Sequence, residues 1–129
     1  MQNFQFKTIM KGKRNLLHKL TLLLILFATT AFSQEIEWQN TIGGNGYDEL
    51  YSLQQTTDGG YILGGYSQSG ISGDKTEINQ GDTYSSDYWV IKLSATGTIE
   101  WQNTIGGSSS DQLQTIQQTT DGGYILGGY

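Results

Sequence analysis

The residues that could do chemistry in this chain of 129 residues are mostly carboxylates once the first 33 residues are set aside. Residues 34–129 contain twelve Asp and Glu, two Lys and neither His nor Cys, for a net formal charge of −10. Without His or Cys, this part of the chain cannot form a Ser-His-Asp triad, a cysteine nucleophile or a zinc, haem or iron–sulfur site. The negative charge also argues against nucleic acid and anionic membranes as partners.

Two of these acids recur along the chain. A pair of carboxylates can hydrolyse a glycosidic bond, one acting as the acid and the other as the nucleophile or base. Asp48 and Asp58 are matched later by Asp111 and Asp121. Because an active site more often occurs once than in every repeat, we expect Asp58 and Asp121 to serve turns and Asp48 to close the entry to a strand. We therefore expect no catalytic residue and no cofactor.

An acidic loop at residues 67–86 offers a second kind of chemistry, because calcium takes oxygen ligands from such loops. Lys75 and Ile78 interrupt the alternating acids that an EF-hand requires. We expect a solvated loop, with a calcium site as the alternative. The candidate ligands for that alternative are Asp74, Glu77, Asp82 and Asp87, the last of which follows the loop directly.

The first 33 residues have the order of a secretory signal peptide. A basic stretch from Lys11 to Lys19 precedes a mostly apolar run from Leu20 to Phe32, and Ala31 and Ser33 are the small residues before a cut at Gln34. A run of 13 residues is short for a membrane span of about 20 residues. We expect cleavage near Ser33/Gln34, secretion or display at the cell surface, and no stable membrane span afterwards. The alternative is an uncleaved N-terminal anchor.

The exported part repeats itself with a period of 63 residues. Residues 36–66 and 99–129 align without a gap, and 24 of the 31 positions are identical. A fixed period of this size is typical of supersecondary units that stack on one another. The expected domains are a signal peptide at 1–33, a first repeat at 34–97 and a truncated second repeat at 98–129. We expect the native chain to continue with further copies after Tyr129.

Each repeat has turn residues at the spacing expected for four short antiparallel strands. The first repeat predicts strands at residues 36–42, 50–55 and 87–93, and a further strand after Asp58-Gly59. The Asp-Gly pairs at residues 58–59 and 121–122 predict two-residue hairpin turns of type I′. The expected fold is all-β, with each repeat forming one blade of a β-propeller and about one and a half blades present. Trp38 and Trp101 recur in register, as do Tyr61 and Tyr124, and we expect these four residues to pack between blades; a sugar-stacking platform is the alternative.

These motifs resemble a known group of proteins. The string W-Q-x-T-x-G-G, followed by Q-Q-T-x-D-G-G-Y-I-x-x-G-Y and D-Y-W-V-x-K-L, is similar to the repeats of secreted proteins from Bacteroidetes-type bacteria. The resemblance rests on Trp38 to Gly44, Asp48 to Tyr66, Asp87 to Leu93 and Trp101 to Tyr129. It implies a β-propeller and, in many members, a sorting domain for the type IX secretion system. These residues contain no such domain, so type IX export does not follow from them.

Two classes of function agree with these observations. The first is an exported, non-catalytic binding or structural module that presents loops to polysaccharide or to a surface protein. The second is part of a glycan-acting hydrolase whose carboxylates lie in other blades or in another domain. A carboxylate that breaks the repeat pattern would favour the hydrolase, and a uniform array of repeats would favour the binding module.

Overall fold

A computed structural model describes residues 34–82 and 84–129, and the predicted signal peptide at residues 1–33 lies outside these ranges. The described residues form six strands and no helix, which confirms the all-β prediction. The strands are β1 (Asp48–Gln55), β2 (Tyr61–Ser67), β3 (Asp87–Leu93), β4 (Ile99–Ile105), β5 (Leu113–Gln118) and β6 (Tyr124–Gly128). All six belong to one compact unit, Glu37–Tyr129.

The strands form two antiparallel sheets. The first sheet has four strands in the order β1-β2-β3-β4, and the second consists of β5 and β6. Every neighbouring pair in both sheets is antiparallel, so the first sheet is a simple meander. β5 and β6 have the same sequence positions in the second repeat that β1 and β2 have in the first.

The four-stranded sheet is offset from the predicted one. We predicted a sheet from about Ile36 to Leu93 and a second sheet that begins near Thr98, but the first sheet runs from Asp48 to Ile105. The predicted strand at residues 36–42 is not a strand, whereas the same motif at Ile99–Ile105 pairs with β3. The physical reason is the partner: this motif pairs with the Asp-Tyr-Trp-Val strand before it, and the described residues contain no such strand upstream of Ile36.

The Asp-Gly hairpins also differ from the prediction. Gly59 has a φ of 84°, but no residue other than glycine has a positive φ in the described ranges, so Asp58 does not adopt the type I′ conformation. The amide of Gly59 donates to the Thr56 carbonyl at 2.9 Å, and the amide of Thr56 donates to the Gly60 carbonyl at 2.9 Å. This is a three-residue loop, in which a type I turn is followed by a left-handed glycine. The same bonding pattern recurs in the turns that end at Gly97 and Gly122.

A β-bulge interrupts the first strand of each sheet. The pairing of β1 with β2 shifts between Leu50 and Ser52, which leaves Tyr51 as the extra residue. The pairing of β5 with β6 shifts at the equivalent place, between Leu113 and Thr115. A Cβ atom on Gly65 would collide with the Glu49 carbonyl oxygen, so this glycine admits the bulged strand. A Cβ atom on Gly128, the counterpart of Gly65, would collide with the Gln112 carbonyl oxygen in the same way, so the bulge explains why both copies have glycine at this position.

The two sheets pack face to face. We define the first face of the four-stranded sheet by Ile62, Gly64 and Val90, and its second face by Leu63, Trp89 and Ile91. The first face packs against the second sheet, where Leu113 and Ile116 complete the apolar cluster. A Cβ atom on Gly64 would lie 2.7 Å from Leu113 Cδ2, so the glycine lets the sheets approach closely.

Candidate functional site

The recurrent acid Asp48 closes the glycine loop that precedes β1. Its Oδ2 accepts a hydrogen bond from the Gly44 amide at 2.8 Å, and both of its carboxylate oxygens accept from Ser69 Oγ at 3.0 Å. In the second repeat, Asp111 Oδ2 accepts from the Gly107 amide at 2.7 Å. Both carboxylates are thus used at the entry to a strand, as the sequence predicted.

The recurrent acid Asp58 is part of its own turn. Its Oδ1 accepts hydrogen bonds from Thr56 Oγ1 and from the Gly60 amide, and its Oδ2 lies 3.0 Å from Lys92 Nζ. These bonds, with that from Thr56 the strongest, lower the pKa of Asp58 well below its usual range. Asp121 has the matching bonds from Thr119 Oγ1 and the Gly123 amide, and the same cause lowers its pKa.

Lys92 on β3 links the turn to the neighbouring strand. Its ammonium lies 3.0 Å from carboxylate oxygens of both Asp58 and Glu100, and it donates to the Leu93 carbonyl at 3.0 Å. Burial lowers the pKa of Lys92, but the hydrogen bonds to the two carboxylates outweigh burial and leave the pKa raised. The lysine is therefore a charged structural link between β1–β2 and β4.

The four calcium candidates do not converge on one point. Asp74 accepts from the Gly43 amide at 3.1 Å, Asp82 accepts from the amides of Tyr84 and Ser85 at 3.0 and 2.9 Å, and Glu77 accepts from the Thr104 amide. Asp87 is fully buried: its Oδ2 accepts from the Gln80 amide, and its Oδ1 has no hydrogen-bond partner among the described residues. Within those residues, no group of three or more potential ligands is placed to hold a metal ion.

A buried lysine lies at the centre of this acidic loop. Lys75 is 1% exposed, and its ammonium donates to Thr104 Oγ1 at 2.8 Å and to the Glu77 carbonyl. Burial lowers its pKa, while the charges of Asp87, Glu77 and Asp48 act in the opposite direction. The loop is thus organised around an internal cation that the protein itself supplies.

The recurrent tryptophans pack against tyrosines rather than forming an open platform. Trp38 and Tyr61 meet edge to face at 5.7 Å, and Trp101 and Tyr124 do the same at 5.7 Å. The two tryptophans are 36% and 37% exposed, although Trp101 lies on β4 and Trp38 lies outside any strand. The ring of Trp38 also covers Gly97, because a Cβ atom there would lie 2.6 Å from the ring.

A different aromatic group lies at the start of β1, and sequence reasoning missed it. We call it the tyrosine cluster; it consists of Tyr47, Tyr51 and Tyr66 around the carboxylate of Glu49. Tyr66 lies between the other two rings, with centroids 5.8 Å from Tyr51 and 6.4 Å from Tyr47 and interplanar angles of 29° and 32°. Tyr66 is buried, whereas Tyr47 and Tyr51 are about half exposed.

The phenol groups of the cluster converge on Glu49. Tyr47 donates to Oε1 and Tyr66 donates to Oε2 at 2.9 Å. The hydrogen bonds from Tyr47 and Tyr66, together with the nearby Tyr51 phenol, lower the pKa of Glu49, and the Glu49 carboxylate raises the pKa values of the three phenols. The carboxylate stays ionised and fixes the rings, while each phenol oxygen can still accept a hydrogen bond from a ligand.

A signal for this cluster was present in the sequence as a difference between the copies. Only seven of the 31 aligned positions differ, and three of them are Tyr47, Glu49 and Tyr51. The second repeat has Ser110, Gln112 and Gln114 at these positions. The fourth member is repeated, since Tyr129 matches Tyr66 and donates to Gln112 Oε1 at 2.8 Å. The exposed aromatic surface is therefore specific to the first copy.

Comparisons with known proteins give this chain no family. No family model matches it, and no curated protein matches it. In the part of the chain that the structure describes, no helix has both the length and the apolar character needed to cross a membrane.

Proposed function

We propose that this chain is an exported, non-catalytic binding or structural module built from stacked sheets of one repeat, as in the blades of a β-propeller. The observation that carries the proposal is an exchange of burial between equivalent residues. Leu50 is 56% exposed and its counterpart Leu113 is fully buried, while Ile62 is fully buried and its counterpart Ile125 is 62% exposed.

This exchange has a geometric cause. The contact between the sheets joins the first face of one copy to the second face of the next, so apolar residues stay exposed on the second face of β1 (Leu50 and Leu53) and on the first face of β6 (Ile125). Beside the exposed Leu50, the second face of the first sheet has a groove with the apolar lining residues Ile42, Leu63, Trp89 and Ile91 and with Asn40, Asp48 and Glu49 among its polar ones. A further sheet of the same repeat would cover this groove as the second sheet covers Ile62, and it would extend the stack in both directions.

The proposal of a non-catalytic module rests on how the carboxylates are used. Asp48, Asp58 and their counterparts accept hydrogen bonds that close loops and turns in both copies. Acids with the same structural duty in each repeat are poor candidates for a single active site. Tyr47 and Tyr51, in contrast, are exposed and specific to one copy, as a binding surface would be.

Export and the absence of turnover are tested on the same preparation. Mass spectrometry of the protein recovered outside the cells should find Gln34 or a near neighbour at the N-terminus. Incubation of that protein with cellulose, xylan, mannan and laminarin should release no more reducing ends than buffer does. Intact residues 11–33 in the exported protein would contradict the export proposal. Release of reducing ends that Asp48→Asn or Asp58→Asn abolishes would favour the hydrolase.

Stacking is tested by lengthening the array. Chains with two and three further copies of the 63-residue repeat should unfold cooperatively, and their free energy of unfolding should rise with each added copy, because each copy adds an interface. A free energy of unfolding that does not depend on the number of copies would contradict the stacked-repeat proposal.

A further inference from the structure

The tyrosine cluster has three properties that together indicate a ligand. Three of its four side chains, those of Tyr47, Glu49 and Tyr51, are specific to the first copy, although the scaffold around them is repeated. Tyr47 and Tyr51 expose about half of their surface in spite of the cost of leaving aromatic rings in water. Tyr51 is also the extra residue of a β-bulge, a device that re-aims side chains and is frequent beside functional sites.

The hydrogen bonds of the cluster fix its geometry before any ligand arrives. Tyr47 and Tyr66 donate to opposite oxygens of Glu49, and Tyr66 stacks against Tyr51, so the three rings hold a common orientation. A surface that is already ordered loses little conformational entropy on binding. The phenol oxygens retain acceptor capacity at the rim of the exposed rings.

The surface continues toward the second sheet. Tyr129, the counterpart of Tyr66, follows β6 directly and is 72% exposed. The Tyr129 hydroxyl donates to Gln112, which places an amide beside the rings. Rings with amide and carboxylate groups between them thus run from β1 to the end of β6.

This arrangement favours a neutral sugar over a cation. The aromatic cages that recognise quaternary ammonium ligands surround a gap, whereas these rings stack on one another with centroids 5.8 and 6.4 Å apart. The Glu49 carboxylate already accepts bonds from the phenols of its neighbours. Exposed rings offer flat apolar faces to the C–H groups of a pyranose, and phenol and amide oxygens accept bonds from its hydroxyl groups.

We propose that the exposed rings of Tyr47 and Tyr51, held in place by Glu49 and by the buried Tyr66, form a binding platform for a neutral polysaccharide. The proposal rests on the proposed function, because it gives the exported module its class of ligand. It does not require turnover, and it assigns the stacked sheets the role of a rigid support. The alternative ligand, a cationic peptide, is an outcome of the test.

The test uses the exported protein in affinity gel electrophoresis with hydroxyethyl cellulose, xyloglucan, galactomannan and laminarin, and with poly-L-lysine as the cationic probe. We expect at least one neutral polysaccharide to retard the protein. We also expect poly-L-lysine to bind this protein no more tightly than it binds an acidic control protein of equal charge. The test variant is Tyr47→Ser/Glu49→Gln/Tyr51→Gln, which introduces the residues that the second repeat already has at these positions.

This triple variant should raise the Kd for the retarding polysaccharide at least tenfold while its circular dichroism spectrum stays that of a β-protein. The matched control is Tyr84→Ser, which removes a tyrosine that is 84% exposed and outside the cluster, and its Kd should stay within twofold of the wild type. If the triple variant does not fold, Tyr47→Ser alone should raise the Kd at least threefold. The proposal is overturned if no neutral polysaccharide retards the wild type, if the folded variant binds as tightly as the wild type, or if only poly-L-lysine binds specifically. None of these outcomes bears on export or on stacking, whose tests use the N-terminal mass and the number of copies.

Discussion

Asp58 and Asp121 occupy the same turn and differ in one partner. Each carboxylate accepts from a threonine hydroxyl and from a glycine amide two residues after it. Asp58 has in addition the ammonium of Lys92 at 3.0 Å, and Lys92 is almost completely buried. A comparison of Asp58 with Asp121 therefore separates the contribution of the turn to stability from the contribution of the ion pair with Lys92.

We expect Asp58→Asn to lower the melting temperature at pH 7 more than Asp121→Asn does, because it also leaves Lys92 with one carboxylate partner. The folded-state pKa of Asp58 is below the value of about 3.9 in an unfolded chain. Its stabilisation is therefore fully present above about pH 4 and is lost as the pH falls toward the folded-state pKa. Thermal unfolding at pH 7 and pH 3, followed by circular dichroism, should find the gap between wild type and Asp58→Asn smaller at pH 3. A gap that widens in acid would contradict this assignment.

At the scale of the element, the three turns share one geometry that depends on a left-handed glycine. Gly59, Gly97 and Gly122 have φ values of 84°, 82° and 88°. Each follows a type I turn and leads into the next strand. In each turn the left-handed glycine allows the chain to enter the next strand, although the sequences Thr-Asp-Gly and Ala-Thr-Gly differ.

We expect Gly59→Ala to reduce the free energy of unfolding by about 1–2 kcal/mol, the cost of a Cβ atom in the left-handed region. No atom lies within 4 Å of the position that this Cβ would take, so the cost comes from the backbone alone. Gly70→Ala is the matched control, because it has the same open surroundings without a positive φ, and its effect should stay within about 0.5 kcal/mol. Urea unfolding measures both values, and equal effects would argue against the left-handed turn.

The acidic loop gives a second prediction at this scale. Since Lys75 supplies a buried cation and the acids bind backbone amides, we expect 1 mM calcium to leave the melting temperature unchanged relative to EDTA. A site occupied at a hundred times its Kd would add about 2.7 kcal/mol to the free energy of unfolding. A rise in melting temperature that Asp82→Asn removes would restore the calcium alternative.

The positions of strands and hairpins were easier to predict from the sequence than the strands and side chains that each of them contacts. Asp-Gly located both hairpins, but the turn type depends on a bond from Thr56 to Gly60 that the dipeptide does not specify. The motif at residues 36–42 was predicted as a strand because alternation reports a half-buried face, yet a strand also requires an edge to pair with. The tyrosine cluster was missed because Tyr47 and Tyr66 are 19 positions apart and meet only through strand pairing and a bulge.

At the scale of the whole molecule, the hairpins β1–β2 and β5–β6 have nearly the same sequence and expose apolar residues on opposite faces, Leu50 in the first and Ile125 in the second. The buried cluster between them contains Ile62 and Val90 from one sheet and Leu113 and Ile116 from the other. Hydrogen bonds also join the two sheets: Gln54 Oε1 accepts from the backbone amide of Gln118 at 2.9 Å, and Ser52 Oγ accepts from the backbone amide of Ile116 at 3.2 Å. The contact between the two sheets is therefore both apolar and hydrogen-bonded.

The stacked-repeat account is tested most directly by one pair of leucines that the repeat makes equivalent. Leu113→Ala removes a fully buried side chain between the sheets, and Leu50→Ala removes its counterpart, which is 56% exposed. Urea unfolding of the two variants should find a loss of about 2–5 kcal/mol for Leu113→Ala and a change within about 0.5 kcal/mol for Leu50→Ala. Equal losses for the two variants would contradict the account, because they would mean that the sheets do not stack through these faces.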